Sequence, residues 1–312
     1  MFLRKIRISI IKLILPFLYK FLQLFKANTR VINFFTDKQF NANNSYNFQK
    51  DIDLLLKNRK LVGLDVGAQG GFNSDKFFPE KYNKYFESIL VDPLKDSLKN
   101  SESKHIINKG LWSSKEIRKL YVLNKRPQSS SMYEPDKNSL SIYGFKEKDF
   151  HLFDVKKTEM VECDTLSSSL KELNINTLDY LKIDTQGAEL EILKGLENFR
   201  PLIIKCEVQI FPMYKKEPKW TEVTDLLYKL GYMVSDWKKI GSHATRTPVE
   251  MDMVFIPNFL MESGKTLILQ KEKEFISLML ISGQITLLKE ISKILNLKYP
   301  EFYMKIEDRY FN

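Results

Sequence analysis

The sequence predicts an α/β fold, in which a mainly parallel β-sheet carries helices on both faces and ends in an antiparallel edge. From residue 50 onwards, short apolar strand-like segments alternate with helix-like segments, which is the pattern of a parallel sheet. The last two strand-like segments, Tyr232–Trp237 and Met251–Ile256, have no full helix between them, which favours an antiparallel edge strand. Helical additions are expected at both ends of the 312-residue chain.

The elements of the central region follow one another in a regular order. The earlier strand-like segments are Leu61–Val66, Ser88–Val91, His105–Asn108, residues 117–123, Lys157–Cys163, Leu178–Ile183 and Leu202–Val208. The helix-like segments are Asn73–Tyr85 (helix, or helix plus loop), Leu94–Asn100, Leu166–Leu173, Ala188–Leu196 and Thr221–Leu230. Residues 117–123 are expected to form an added hairpin strand, and the polar residues 124–138 a loop near the functional site.

Three parts of the chain are distinguished by their patterns. Residues 1–48 are predicted to form an amphipathic helix and a linker, residues 49–257 the α/β domain, and residues 258–312 a helical extension. A hydrophobic content of 43% is enough to build a core, which excludes global disorder. The two cysteines, Cys163 and Cys206, lie in apolar strand-like runs and are expected to be buried thiols in a reducing cytoplasm.

The formal charge of +10 does not by itself indicate nucleic acid as a partner. The lysines are scattered and often stand beside glutamates, as in residues 146–148, which is typical of a solvated surface. The N-terminus is the one concentrated basic block. No nucleic-acid partner is therefore expected, and the oligomeric state stays open.

The first thirty residues form a distinct amphipathic segment. Wound as a helix, residues 2–25 place Lys5, Lys12 and Lys20 on one narrow polar face. Lys12, Pro16 and Lys20 interrupt a membrane span, and no cleavage site of a signal peptide is clear. Two alternatives stay open: a helix that lies peripherally on the inner face of the membrane, and one that docks its apolar side on the protein.

The sharpest local motif is the loop from Asp65 to Gly71, which follows a buried strand-like run. Its sequence, DVGAQGG, lacks the glycine spacing of a dinucleotide fingerprint, and no phosphate-loop lysine follows. Glycines in such a turn allow the backbone to approach a ligand, while an acidic side chain can pair with an amino group. This pattern favours S-adenosylmethionine, with Asp65, Gly67, Ala68, Gln69 and Gly71 as binding residues.

Asp92 lies at the end of the next predicted strand. A carboxylate in that position can accept hydrogen bonds from both hydroxyl groups of a ribose, because ligands of open α/β sheets bind beyond the carboxyl ends of the strands. Asp92 is therefore predicted to bind the ribose of the methyl donor.

These motifs resemble those of the FkbM family of methyltransferases. The segment Leu178–Gly195 (LDYLKIDTQGAELEILKG) is similar to the family hallmark, and Asp65–Gly71 resembles its first motif, with Gln69 where asparagine is usual. Cys206–Tyr214 (CEVQIFPMY) resembles the strand that follows. The resemblance covers residues ~55–257. It implies a Rossmann-like class I methyltransferase sheet, S-adenosylmethionine as cofactor, and O-methylation of a hydroxyl of a sugar, polysaccharide or secondary metabolite.

Asp184 is the first candidate for the chemical centre, because it ends the fourth main strand beside the expected sulfonium. It could act as a base or position the acceptor, and it could also bind the donor. Glu207, on the next strand, is the second candidate, and His243, in a polar loop, is a third. Together, Asp184 and Glu207 could hold a divalent cation, but no metal site is predicted from two carboxylates. An alternative role for Asp184 is to cap the following helix.

Two functions of other classes remain as alternatives. The first is a non-catalytic glycan- or membrane-associated binding protein that retains a methyltransferase fold; the intact Gly67, Gly71, Asp92 and Asp184 argue against it. The second is a nucleic-acid methyltransferase, which is disfavoured because Asp184-Thr-Gln-Gly replaces the Asn/Asp-Pro-Pro-aromatic loop of base-methylating enzymes.

Overall fold

The computed structural model describes residues 17, 21, 48–94, 98, 103–240 and 248–297. Contacts group the chain into two compact units, Arg59–Gln270 and a unit formed by Met1–Asn58 with Lys271–Asn312. The predicted N-terminal helix, most of the predicted helix Leu94–Asn100, and His243 lie outside the described residues. The boundaries predicted at residues 48 and 257 stay a prediction.

The unit Arg59–Gln270 contains a sheet of seven strands and a smaller sheet of three within its described residues. The strands are β1 (Leu61–Val66), β2 (Phe86–Val91), β3 (His105–Ile107), β4 (Gly110–Leu111), β5 (Glu116–Leu123), β6 (Val155–Asp164), β7 (Tyr180–Ile183), β8 (Ile203–Gln209), β9 (Tyr232–Ile240) and β10 (Glu250–Pro257). The predicted strands all form, with small differences at their ends.

The large sheet has the strand order β3-β2-β1-β7-β8-β10-β9. Strands β1, β2, β3, β7 and β8 are parallel, whereas β10 runs antiparallel to both β8 and β9. The predicted mainly parallel sheet with an antiparallel edge is therefore confirmed. The central strands β1 and β7 are buried almost throughout, as expected for strands covered on both faces.

The small sheet has the order β4-β6-β5. Strands β5 and β6 form an antiparallel pair, and β4 adds to β6 in parallel. The sequence predicted a single hairpin strand at residues 117–123. The two-residue β4 is too short to produce a recognisable pattern, and this is why a separate sheet was not predicted.

Four α-helices belong to the described part of this unit. They are α2 (Leu166–Glu172), α3 (Glu189–Lys194), α4 (Trp220–Lys229) and α5 (Glu262–Gln270), which follow α1 (Gln49–Leu56) of the other unit. The apolar sides of α2, α3 and α4 join the main core together with the strands of the large sheet.

The prediction of a helix or helix plus loop after β1 is met only by a 3-10 helix at Glu80–Tyr85. Asn73 has a left-handed φ of 58°, and its side-chain amide donates to the carbonyl of Phe78 at 2.8 Å. Lys76 also has a positive φ of 55°. Left-handed conformations cost free energy for residues that have a side chain. The Asn73 side chain also takes hydrogen-bond partners that the backbone of a helix would use. For both reasons an α-helix does not start here.

The second unit is described over residues 48–58 and 271–297 and at residues 17 and 21. Its helices are α1, α6 (Glu272–Ser282) and α7 (Ile285–Leu295), and α1 packs on α6. Gly283 closes α6 with a left-handed φ of 75°, as glycine commonly does at a helix C-terminus. Among the described residues, no helix has the length and apolar character that crossing a membrane requires.

Cys163 and Cys206 are both buried and carry free thiols. They lie in β6 of the small sheet and β8 of the large sheet. The prediction of two buried thiols is confirmed.

Candidate active site

A pocket of about 350 Å³ opens beyond the carboxyl ends of β1, β2 and β7. Its volume lies within the range of small-molecule sites, and its position is where open α/β sheets bind their ligands. Apolar side chains such as Val91, Leu111 and Ile192 form one part of the wall. The polar part consists of Gln69, Ser74, Asp75, Asp92, Lys109, Gln128, Ser130, Lys182, Asp184, Thr185 and Gln186.

The glycine turn after β1 places the backbone of Gly67 directly against the backbone of Asp184 at the end of β7. Gly67 has a φ of +78°, and a Cβ on it would lie 1.9 Å from the carbonyl oxygen of Asp184. The amide of Gly67 donates to the carbonyl of Val91 at 2.9 Å, so the turn is tied to β2 as well. Only glycine combines this conformation with this approach.

The other predicted residues of the loop differ in their exposure to the pocket. Gln69 lines it, and its side-chain amide lies 3.4 Å from the carbonyl of Pro127 in the loop that follows β5. Ala68 is fully buried. Gly71 lines a separate cavity near the start of β2. The predicted role of Ala68 and Gly71 in donor binding stays a prediction.

Asp65 lies in β1 behind the pocket wall, with none of its surface exposed. Lys182 of β7 is its register partner and donates to Oδ1 of Asp65 at 3.1 Å. The backbone amide of Asn73 donates to the other carboxylate oxygen at 3.3 Å. Burial raises the pKa of Asp65 to about 6, although Lys182 acts against this shift. The sequence predicted that Asp65 contacts the donor, whereas its carboxylate here is occupied by groups of the protein.

A second buried lysine continues this row of charges across the sheet. Lys205 of β8 stands beside Lys182 in the parallel register and pairs with Asp252 at 2.6 Å and Asp75 at 2.8 Å. Burial opposes the charge of both lysines, but the neighbouring carboxylates outweigh it and raise both pKa values. This network was not predicted, although its signal in the sequence is a lysine inside each of two otherwise apolar strands.

Asp75 connects the row of charges to the pocket. It lines the pocket, and its pKa is lowered because Lys205 and Lys182 outweigh the effect of burial. The loop after β1 is thus anchored to β8 by an ion pair. Asp75 was not among the predicted site residues, because its segment reads as a continuation of helix.

Asp92 occupies the end of β2 as predicted and lines the pocket while being only 3% exposed. Its Oδ1 accepts the backbone amide of Leu94 at 2.8 Å, which fixes the carboxylate relative to the strand end. The loop after β5 contributes Gln128, Ser130 and Met132 to the same pocket, so the predicted loop near the site lies there.

Asp184 lines the pocket at the end of β7 and is 30% exposed. Its Oδ2 lies 3.7 Å from Nζ of Lys182, and its Oδ1 accepts the side-chain amide of Gln186 at 3.2 Å. The same Gln186 nitrogen lies 2.9 Å from Oε1 of Glu207. Glu207 does not line the pocket, so the two predicted catalytic carboxylates are linked through Gln186 while only Asp184 faces the pocket.

The alternative that Asp184 caps the following helix is wrong. Helix α3 begins at Glu189, and its N-cap, Ala188, makes no side-chain cap hydrogen bond. The carboxylate of Glu189 itself accepts the backbone amides of Thr185 at 2.9 Å and Gly187 at 3.0 Å. Burial raises the pKa of Glu189 to about 7. Asp184 is thereby left for contacts at the pocket.

The described residues contain no group of three or more His, Cys, Asp or Glu side chains arranged to hold a metal ion. His243, the third catalytic candidate, lies among residues 241–247, outside the described part of the chain. Its predicted role as a base stays a prediction.

The strand order and the pocket define a class. A sheet whose seven strands follow the order 3-2-1-4-5-7-6 when renumbered along the chain, with strand 7 antiparallel, and whose first turn is rich in glycine, is that of a class I methyltransferase. The family profile described as the methyltransferase FkbM domain matches residues 65–234, more than half of the chain. The protein belongs to the FkbM methyltransferase family, and the predicted resemblance is confirmed.

Two further comparisons add little to this assignment. No curated protein sequence gives a significant match. Among solved structures, the chain is similar to LepI in a complex with SAH and a substrate analogue, at 13% sequence identity and a TM-score of 0.30. That match covers 73% of this chain and about half, 52%, of the LepI chain. A TM-score this low carries no argument about fold or function.

Family membership identifies S-adenosylmethionine as the cofactor. The pocket fits this molecule in its chemistry. The carboxylates of Asp75, Asp92 and Asp184 suit a cationic sulfonium and a ribose, and the apolar wall suits an adenine ring. The missing side chain at Gly67 leaves the backbone bare where the turn meets β7.

Proposed function

We propose that this protein transfers a methyl group from S-adenosylmethionine to a hydroxyl of a sugar, polysaccharide or secondary metabolite. The observation that carries the proposal is Asp184, a partly exposed carboxylate at the pocket wall within a sheet of methyltransferase topology. A hydroxyl acceptor must lose a proton as its oxygen is methylated, and a nearby carboxylate can receive it.

The donor site would be formed by three structural features. Asp92 would accept the ribose hydroxyls, and the backbone at Gly67 and Gln69 would border the methionine part. Asp65 would act from behind the wall, because it holds Lys182, whose ammonium group borders the pocket between Asp65 and Asp184. When bound, S-adenosylmethionine supplies the activated methyl group, and the protein supplies alignment and the proton acceptor.

Asp184 is the proposed proton acceptor, and Glu207 is the second candidate for that role. Asp184 faces the pocket, and its carboxylate lies 3.7 Å from Nζ of Lys182. Glu207 is buried in a cluster of carboxylates, and burial followed by the charge of Asp184 raises its pKa well above the ordinary value. Asp184, which lines the pocket, is therefore the first of the two to test.

The function is tested by screening acceptors with the purified full-length protein. Sugars, glycans and small hydroxylated metabolites are incubated with S-adenosylmethionine, and release of the demethylated product is measured together with the mass of the acceptor. A gain of one methyl group on an oxygen supports the proposal. Methylation of nitrogen or of nucleic acid would contradict it, and binding of glycans without turnover would favour the non-catalytic alternative.

Replacing Asp92 by alanine is expected to weaken donor binding. Hydrogen bonds to a charged partner contribute about 1.5–3 kcal/mol, so the dissociation constant measured by calorimetry should rise ~10- to 150-fold. The matched control is Asp225→Ala on the exposed face of α4, which should bind like the wild type. NAD should not bind either protein. Unchanged affinity of Asp92→Ala would remove Asp92 from the ribose site.

We also propose that residues 1–30 attach the protein peripherally to the cytoplasmic face of a membrane. The support is the sequence pattern of a narrow basic face on an otherwise apolar segment. Full-length protein should float with anionic liposomes and less so at high salt, because salt screens attraction between exposed charges. A variant in which Lys5, Lys12 and Lys20 are replaced by glutamate should stay in the soluble fraction. Equal flotation of both proteins would contradict the proposal.

A further inference from the structure

Gln186 donates hydrogen bonds to two carboxyl groups, those of Asp184 and Glu207. Its side-chain nitrogen lies 2.9 Å from Oε1 of Glu207 and 3.2 Å from Oδ1 of Asp184. A primary amide has two N–H donors, so one can be directed to each carboxylate. The residue lines the pocket beside Asp184.

The orientation of this amide is set from its other side. The hydroxyl of Tyr214 lies 2.9 Å from Oε1 of Gln186 and 2.8 Å from the carbonyl of Ser129. The hydroxyl has one proton for two acceptors, the Ser129 carbonyl and the amide oxygen of Gln186. Sharing this proton with the amide oxygen favours the orientation in which the nitrogen points to the carboxylates. Tyr214 is only 1% exposed, so its ring is fixed by packing.

The backbone of Gln186 is also held in an unusual conformation. It has a left-handed φ of +59°, and its carbonyl accepts the hydroxyl of Ser131 at 2.6 Å. A left-handed conformation costs free energy for a residue with a side chain and persists where surrounding contacts impose it. Several contacts of the fold therefore fix the position of the Gln186 side chain.

The carboxylates that Gln186 bridges lie in an acidic environment. The charged groups that act on Glu207 and Asp184 are Lys182 of β7, Glu189 of α3, and Glu250 and Asp252 of β10. Burial, followed by the charge of Asp184, raises the pKa of Glu250 to about 7, while Arg126 acts against this shift. Like charges crowded in this way retain protons unless donors stabilise the ionised forms.

We propose that Gln186 is a positioning residue of the methyl-transfer reaction, whose amide holds Asp184 in place and stabilises its ionised form, while Tyr214 directs the amide. The inference rests on the proposed function of Asp184 as proton acceptor. It assigns roles to two residues that do not themselves receive the proton.

The primary test is Gln186→Met, which keeps an unbranched side chain of similar length and removes both amide groups. The turnover number should fall ~10- to 150-fold, the equivalent of losing one hydrogen bond to a charged group. The acid limb of the pH–rate profile should move to higher pH, because Asp184 loses a donor that favours its ionised form. The affinity for S-adenosylmethionine should change little.

A second readout does not require an acceptor. The titration of the Asp184 and Glu207 carboxyl groups is followed by carbon-13 NMR of protein labelled at its carboxylates, with Asp184→Asn and Glu207→Gln used for assignment. In Gln186→Met, the pair should lose its protons at higher pH than in the wild type. If no acceptor is found, the proposed function fails while this titration still decides the role of Gln186.

Tyr214→Phe tests the second part of the proposal without touching the amide. It should shift the titration of the Asp184 and Glu207 carboxyl groups to higher pH and lower the turnover number, both by less than Gln186→Met does. In a Gln186→Met background it should add nothing, because Tyr214 acts through Gln186. The matched control is Tyr143→Phe, which removes a hydroxyl that donates to the carbonyl of Phe211 and leaves Gln186 untouched.

An unchanged carboxylate titration in folded Gln186→Met would overturn the proposal. If that variant does not fold, the carboxylate titration of Tyr214→Phe decides. A shift of this titration to higher pH that Tyr143→Phe does not show supports the inference. Identical titrations of Tyr214→Phe and Tyr143→Phe overturn it. Circular dichroism and melting establish which variants are folded.

Discussion

Asp184→Asn should reduce the turnover number by ~10²–10⁴-fold, the contribution usually made by a positioned proton acceptor. Asparagine has nearly the same size as aspartate. Its side-chain oxygen can still accept the hydrogen bond that the Gln186 amide donates to Asp184 at 3.2 Å. It removes the negative charge and the ability to take a proton. The melting temperature should stay close to that of the wild type, because Asp184 is partly exposed and caps no helix.

The control for this experiment is Asp225→Asn, the same change on the exposed face of α4. A chelator added to the wild type distinguishes a direct proton acceptor from one that acts through a bound cation, since only the second loses activity. Full turnover of Asp184→Asn would exclude Asp184 from proton transfer and direct the same test to Glu207.

Lys182→Met should lower the free energy of unfolding by about 3–5 kcal/mol, the usual cost of removing one partner from a buried ion pair. Lys182 is 2% exposed and Asp65 is not exposed at all, so the carboxylate would be left without its cation. The loss is measured by denaturant or thermal unfolding. Lys229→Met on exposed α4 is the matched control and should change stability little.

This loss should depend on pH in a defined direction. Burial raises the pKa of Asp65 from its ordinary value of 3.8 to about 6, so the folded state retains a proton that the unfolded state releases between these two pH values. That group's contribution to stability therefore falls as pH rises between these two values. Without Lys182 the folded pKa rises further, and the deficit of Lys182→Met should be larger at pH ~7.5 than at pH ~5. The double variant Asp65→Asn/Lys182→Met should recover part of the stability; no recovery would show that the pair is not coupled.

The sequence predicted the parts of the fold that leave periodic patterns. Strands β2 and β7 were recognisable as mostly apolar runs, each followed directly by an acidic residue, and Asp92 and Asp184 lie at the pocket for that reason. The region after β1 was harder. Its helix-like composition was overridden by the side-chain hydrogen bonds of Asn73, which no periodicity reveals.

The role of Asp65 could not be predicted, because it depends on a partner distant in the sequence. Lys182 becomes its neighbour only through the pairing of β1 with β7. A carboxylate followed by glycines can bind either a ligand or a buried lysine, and the local sequence pattern is the same in both cases. Gln186 and Tyr214 were missed on similar grounds, since their contacts combine two loops and a strand end.

The position of β10 between β8 and β9 has a consequence for biosynthesis. A ribosome completes β8 and β9 before it reaches β10, and in the described sheet neither of these two strands pairs with the other. Until residues 250–257 emerge, β8 therefore has no partner on one side, and β9 has none in the sheet at all. An unpaired strand edge promotes association with other chains. Nascent chains that stall before this point should therefore need chaperones more than chains that have passed it.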